Sequence, residues 1–213
     1  MSIKINLNKI KSNIQSNITL VAVSKTKPNS DIIEAYNAGQ KIFGENKVQE
    51  LARKQKELPV DIEWHMIGHL QTNKVKYIAP FVSLIHTVDS IKLLKEIDKR
   101  ARQNNRVIDC LLQVHIANEQ TKFGFQIEAI EKTIEISKDF KNTNIKGLMA
   151  MATFTDNINQ INKEFTSINK LYKKVKNNNI NTLSIGMSGD YKLAINNGST
   201  MVRVGSAIFG KRN

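Results

Sequence analysis

A single cysteine, Cys110, stands in the whole chain of 213 residues, so an internal disulfide and a cysteine-based zinc site are both excluded. It lies inside the apolar run Val107 to Val114 and reads as a small core residue. No apolar run approaches the roughly 18 residues of a membrane span. Met1 to Ile18 is polar with helical periodicity and lacks the apolar core of a signal peptide. The expectation is a cytoplasmic protein that meets no membrane. No Gly-x-Gly-x-x-Gly follows the first strand, and no Walker loop, nucleophile elbow or histidine-carboxylate triad is visible. His65 and His69 stand four apart but straddle a strand end, while His86 and His115 fall in predicted strands as satisfied structural histidines. No metal site is expected.

Acidic residues are also few. Asp plus Glu number 19 against 32 Lys plus Arg, a formal charge of +13. Such an excess can mean an anionic partner. Here the basic residues Lys47, Arg53, Lys54, Lys56, Lys95, Lys99, Arg100 and Arg102 fall on predicted helices, interleaved with acids, and read as solvated faces rather than a nucleic-acid surface. A hydrophobic content of 40% is enough for one core, and residues 1–213 read as one domain.

What is present is alternation. Ile3, Leu7, Ile10 and Ile14 form the stripe of an amphipathic leading helix running to Ile18. Strands are predicted at Thr19 to Lys25, Lys41 to Asn46, Asp61 to Ile67, Leu84 to Val88, Val107 to Ile116, Ile145 to Met151, Thr182 to Met187 and Met201 to Val204. Helical patterns fall between them, among them Ile91 to Gln103, Ile127 to Phe140 and Ile158 to Val175. Strict alternation of this kind means a parallel sheet covered by helices. Eight repeats fit a closed (β/α)₈ TIM barrel with an extra N-terminal helix, whose sites lie at the C-terminal ends of the strands.

Four groups of residues lie at such ends. Lys25 closes the first strand; partly desolvated, its amine is available for Schiff-base chemistry with an aldehyde, or else it is an ordinary lysine reaching water. Ser188-Gly189-Asp190 and Arg203-Val204-Gly205-Ser206 follow strands seven and eight, where barrels often bind phosphate, although small residues are common in any strand-to-helix turn. Arg203 needs a partner if it faces inward, and has none to explain if it faces out. Asn46 and Asn73 could bond a ligand or cap helices. A lysine and a phosphate cradle together suit a phosphorylated aldehyde, and pyridoxal 5'-phosphate meets both demands.

The segments Val21-Ala22-Val23-Ser24-Lys25-Thr26-Lys27-Pro28, Phe43-Gly44-Glu45-Asn46, His65 to Lys74, Gly147-Leu148-Met149-Ala150-Met151 and Gly186-Met187-Ser188-Gly189-Asp190 resemble the YggS/PROSC family of pyridoxal-phosphate homeostasis proteins, over essentially the whole chain. The resemblance implies a fold like the barrel domain of alanine racemase, with Lys25 as the Schiff-base lysine. It also implies that Ser188, Gly205 and Ser206 hold the phosphate, that Arg203 faces the pyridine nitrogen, and that Asn46 lies near the cofactor. An always-protonated arginine at that nitrogen weakens the ring as an electron sink. The chain departs from the family pattern at Gly189, where an acidic residue is frequent, and keeps its sense at Thr121, Lys122 and Gly124.

The implied function is a non-enzymatic carrier, with PLP-dependent apo-enzymes as possible acceptors. The chain ends at Asn213, without the second domain that a racemase uses, so a monomer is expected. The alternative is a small amino-acid racemase using Lys25 with Lys122 or His69. A weaker one is a nucleic-acid binder.

Overall fold

The computed structural model describes residues 2–117 and 123–210. The chain opens with α1 (Ile3–Ser12), capped by the Ser2 hydroxyl, which accepts from the Ile5 N–H. Eight strands follow: β1 (Thr19–Val23), β2 (Ile42–Glu45), β3 (Glu63–Met66), β4 (Leu84–Val88), β5 (Ile108–Gln113), β6 (Thr143–Met149), β7 (Thr182–Ser184) and β8 (Met201–Val204). The helices between them are α2 (Asn29–Asn37), α3 (Val48–Glu57), α4 (Ile91–Gln103), α5 (Ile130–Ser137), α6 (Ile158–Val175) and α7 (Tyr191–Asn196), with α8 (Ser206–Phe209) after the last strand. A 3₁₀ helix, Thr72–Tyr77, takes the place of an α-helix after β3. All neighbouring strands are parallel, and β8 pairs back onto β1 with Val21 opposite Arg203, so the sheet is the expected closed barrel.

Alternation along each strand divides the core. Val21, Leu84, Leu111, Met149 and Met201 pack together inside the barrel. Ala22, Phe43, Trp64, Ile85, Leu112, Leu148, Val202 and Val204 face the helices. Every strand but β6 starts at or after its expected start, and several end sooner. Ser24 and Lys25 lie beyond β1, and β5 stops before Ile116 because Val114 makes only an isolated bridge to Phe125. The leading helix ends at Ser12 rather than Ile18.

Two readings need correction. Lys54 is not on a solvated face; its side chain is fully buried, because it shares the inward stripe of α3 with Val48 and Leu51. His115 lies past the end of β5, and its buried Nδ1 has no hydrogen-bond partner among the described residues, so it is not a satisfied strand histidine. Cys110 is buried in the core, and burial pushes its thiol pKa up. No helix among the described residues is long and apolar enough to cross a membrane.

β6 and β7 approach so closely at Gly147 that a Cβ there would lie 1.8 Å from the Thr182 carbonyl oxygen. That obstacle is backbone and cannot rotate away. Gly147→Ala is therefore expected to cost about 3 kcal/mol or more, read as a lowered midpoint in urea unfolding. An unchanged midpoint would show that the strands separate freely.

Candidate functional site

The end of β1 is a tight turn. The Lys27 N–H donates to the Ser24 carbonyl (3.0 Å), leaving Lys25 and Thr26 at the two central positions. Thr26 has φ 66°, a left-handed conformation that costs a β-branched residue on the order of 1–2 kcal/mol. The turn throws Lys25 off the strand, half-buried, at the C-terminal mouth of the barrel.

Asn46 reaches the same mouth from the end of β2. Its position depends on Gly68, where a Cβ would sit 2.3 Å from the Asn46 carbonyl oxygen. Only glycine lets the two loops pass at that distance. Opposite, Ser188 ties the loops after β7 and β8 together, since its Oγ accepts from the N–H groups of Gly205 (3.0 Å) and Ala207 (3.4 Å). Asp190 holds the β7 loop in shape by accepting the Met187 N–H (2.5 Å), and burial raises its pKa above the ordinary aspartate value. Ser188 and Ser206 thus line one corner of the mouth, and hydroxyls there are donors of the kind that an anionic oxygen group requires.

Arg203 faces the barrel interior, 4% exposed. Its Nη1 donates to the Ser184 carbonyl (2.8 Å) and Oγ (2.6 Å), and its Nη2 to the Ala150 carbonyl (3.1 Å). These partners are dipoles, not carboxylates. Burial lowers the guanidinium pKa to about 10, against the pull of Asp190, and at neutral pH it remains charged.

Ser184 Oγ, which accepts from Arg203, also hydrogen-bonds His86 Nδ1 (3.1 Å). His86 Nε2 in turn hydrogen-bonds His65 Nδ1 (3.0 Å), with one hydrogen between the two rings. Both rings stay neutral: burial takes His65 down to about 3, and burial, then His65, then the charge of Arg203 hold His86 well below 6.5.

Lys25, Asn46, Ser188, Arg203, Gly205 and Ser206 all line one cavity of about 360 Å³. These six are the residues that the resemblance implies for the cofactor. Val23, Ile67, Met151 and the exposed Phe154 and Met187 supply apolar wall, and Lys27 joins Lys25 on the lining. Asn73 and His69 do not line it. His69 instead bonds Asp89 (3.1 Å) and stacks on Phe123. Thr121 and Lys122 lie outside the described residues. Sequence reasoning missed Ser184 and the connection of His65 to His86; their signal was parity, because each occupies an inward position of its strand.

Comparison with known proteins gives the family and the fold. The model of the alanine racemase N-terminal domain family matches residues 1–213. The pyridoxal phosphate homeostasis protein of Aquifex aeolicus is 41% identical over 197 residues, 91% of this chain and 86% of that protein. The structure of PipY from Synechococcus elongatus PCC7942 with PLP bound superposes with a TM-score of 0.88 at 32% identity, covering 98% of this chain and 100% of that one. An alanine racemase of Clostridium difficile shares the fold, with a TM-score of 0.80 at 12% identity, and this chain covers 57% of it.

The two buried imidazoles carry a pH signature. Above the ordinary value of 6.5 they are neutral whether the chain is folded or not. As pH falls below it, the unfolded chain takes up protons that the folded chain refuses, and stability is lost progressively toward about pH 3. At about pH 5 the His65 ring accounts for roughly 2 kcal/mol. Urea unfolding at about pH 7 and pH 5 should show His65→Asn losing about 2 kcal/mol less than the parent between the two. Equal losses would mean that His65 is not held neutral.

Proposed function

Because this chain belongs to the pyridoxal phosphate homeostasis group of the alanine racemase N-terminal domain family, we propose that it binds pyridoxal 5'-phosphate at the C-terminal mouth of its barrel and holds it as a Schiff base on Lys25. The observation that carries this reading is the meeting of a half-buried lysine, two serines and a buried guanidinium on one cavity. Residues of these kinds fit the aldehyde, the phosphate and the ring nitrogen of that cofactor in turn.

When bound, pyridoxal phosphate supplies a reactive aldehyde and an electron-withdrawing ring. Lys25 would hold the aldehyde carbon through its side-chain nitrogen, reversibly and with nothing oxidised or consumed. Ser188 and Ser206 would hold the phosphate, with Gly205 fixing the approach of the two loops through its bond to Ser188. Asn46 would bind from the β2 side of the mouth. Arg203 would turn its charge toward the ring nitrogen, which disfavours protonation there and weakens the ring as an electron sink.

Reversible holding, rather than turnover, is therefore the favoured task, with delivery to PLP-dependent apo-enzymes. The titratable side chains lining the cavity among the described residues are Lys25, Lys27 and Arg203. Lys25 and Lys27 come from one loop, whereas inversion at carbon asks for proton-transfer groups on two faces. The names of the relatives, homeostasis proteins rather than racemases, support the same reading.

Titration with pyridoxal phosphate should give a visible imine band. Borohydride trapping and peptide mapping should put the label on Lys25, and Lys25→Ala should lose the band. Label on another lysine would overturn the assignment. Steady exchange of the α-proton of L- or D-alanine in deuterium oxide would overturn the carrier reading.

A further inference from the structure

The buried ionic cluster behind the Lys25 turn is not part of the cavity. Lys54 Nζ donates to the Ser24 carbonyl (2.9 Å), to Glu45 Oε1 (2.8 Å) and to Glu50 Oε1 (2.7 Å), which uses all three of its hydrogens. Each acceptor has a second attachment to the same turn. Glu45 Oε1 accepts from Ser24 Oγ (2.6 Å), and Glu50 Oε1 accepts from the Thr26 N–H (2.7 Å). Both chain neighbours of Lys25 are therefore held by one cluster, while Lys25 itself lines the cavity.

We propose that Glu45, Glu50 and Lys54 form a clamp that fixes the backbone on either side of Lys25, making them positioning residues for its bond with the cofactor. The proposal rests on the assignment of Lys25 above. Three observations carry it beyond a stabilising ion pair.

First, a cluster of this kind is expensive to bury. Replacing buried ion pairs by apolar residues is often neutral or stabilising, so stability alone gives no reason for Lys54 to sit on the apolar stripe of α3. Glu45 Oε2 is left buried without a hydrogen-bond partner, and burial raises the Glu45 pKa against the pull of Lys54 and the Ser24 hydroxyl. Second, the clamp holds an unfavourable conformation. Left-handed Thr26 persists where its surroundings over-determine it, and the charge-assisted bond from its N–H to Glu50 supplies that constraint. Third, Glu45 immediately precedes Asn46, so the same carboxylate that grips Ser24 fixes the strand end bearing a second cavity residue.

The test compares Glu50→Ala with Glu50→Gln in the full chain. The glutamine keeps an acceptor for Thr26 and Lys54; the alanine removes it. Glu50→Ala should weaken pyridoxal phosphate binding about tenfold, the equivalent of one charge-assisted hydrogen bond, and should shift the pH midpoint of the visible imine band. Glu50→Gln should stay within about twofold of the parent. Thermal unfolding of each protein without cofactor reports any general loss of stability.

A coupling measurement separates positioning from structure. Thr26→Gly relieves the left-handed constraint, since glycine suits that turn position unaided. In its background Glu50→Ala should cost markedly less binding than in the parent. Equal costs in the two backgrounds, or an unchanged affinity and pH midpoint in Glu50→Ala with Lys25 still labelled, would overturn the clamp and leave the Lys25 assignment intact. Absence of label on Lys25 in the parent would overturn that assignment instead.

Discussion

Each strand of a closed barrel has only two directions for its side chains, and that restriction governs both the core and the cavity. Inward positions must share a narrow interior, where Val21, Leu84, Leu111, Met149 and Met201 pack together. The same parity, carried past the strand ends, brings Lys25, Asn46 and Arg203 to one mouth. Slipping a strand by one residue would exchange its inner and outer faces. Arg203 would then enter the apolar layer under the helices.

Among the described residues two cations are buried, and their surroundings differ. Lys54 lies between barrel and helix, where two carboxylates and a carbonyl use every hydrogen of its ammonium. Arg203 lies inside the barrel with two carbonyls and a hydroxyl for partners. Dipoles solvate a guanidinium without neutralising it, and Asp190 acts on it without a direct bond. The first arrangement is closed to a ligand and the second open to one. That difference separates a cation that stands behind the cavity from one that lines it.

Most of the fold was legible in the sequence because alternating apolar patterns report burial directly. Eight strands were countable, and the barrel followed from their number. Boundaries were less legible, since an apolar residue past a strand end looks like one within it; Val114 and Ile116 both follow β5. The six residues that line one cavity could be named together because strand ends in a barrel converge and because their segments resemble a known family. Lys54 was misread because a basic residue among basic residues looks solvated. Its spacing from Val48 and Leu51 carried the contrary signal, and Glu45 and Glu50 supplied the charges that make such burial tolerable.

The hydrogen-bond chain under the cavity extends the argument about Arg203. Ser184 Oγ accepts from Arg203 and hydrogen-bonds His86, and His86 hydrogen-bonds His65, so one row of contacts runs from the guanidinium through both imidazoles. A single hydrogen fits between His86 Nε2 and His65 Nδ1, so the two rings cannot both become imidazolium while that bond stands. That restriction acts in the same sense as burial, and the charge of Arg203 adds to it at His86. With both rings neutral, the guanidinium keeps its charge over a floor that carries none of its own.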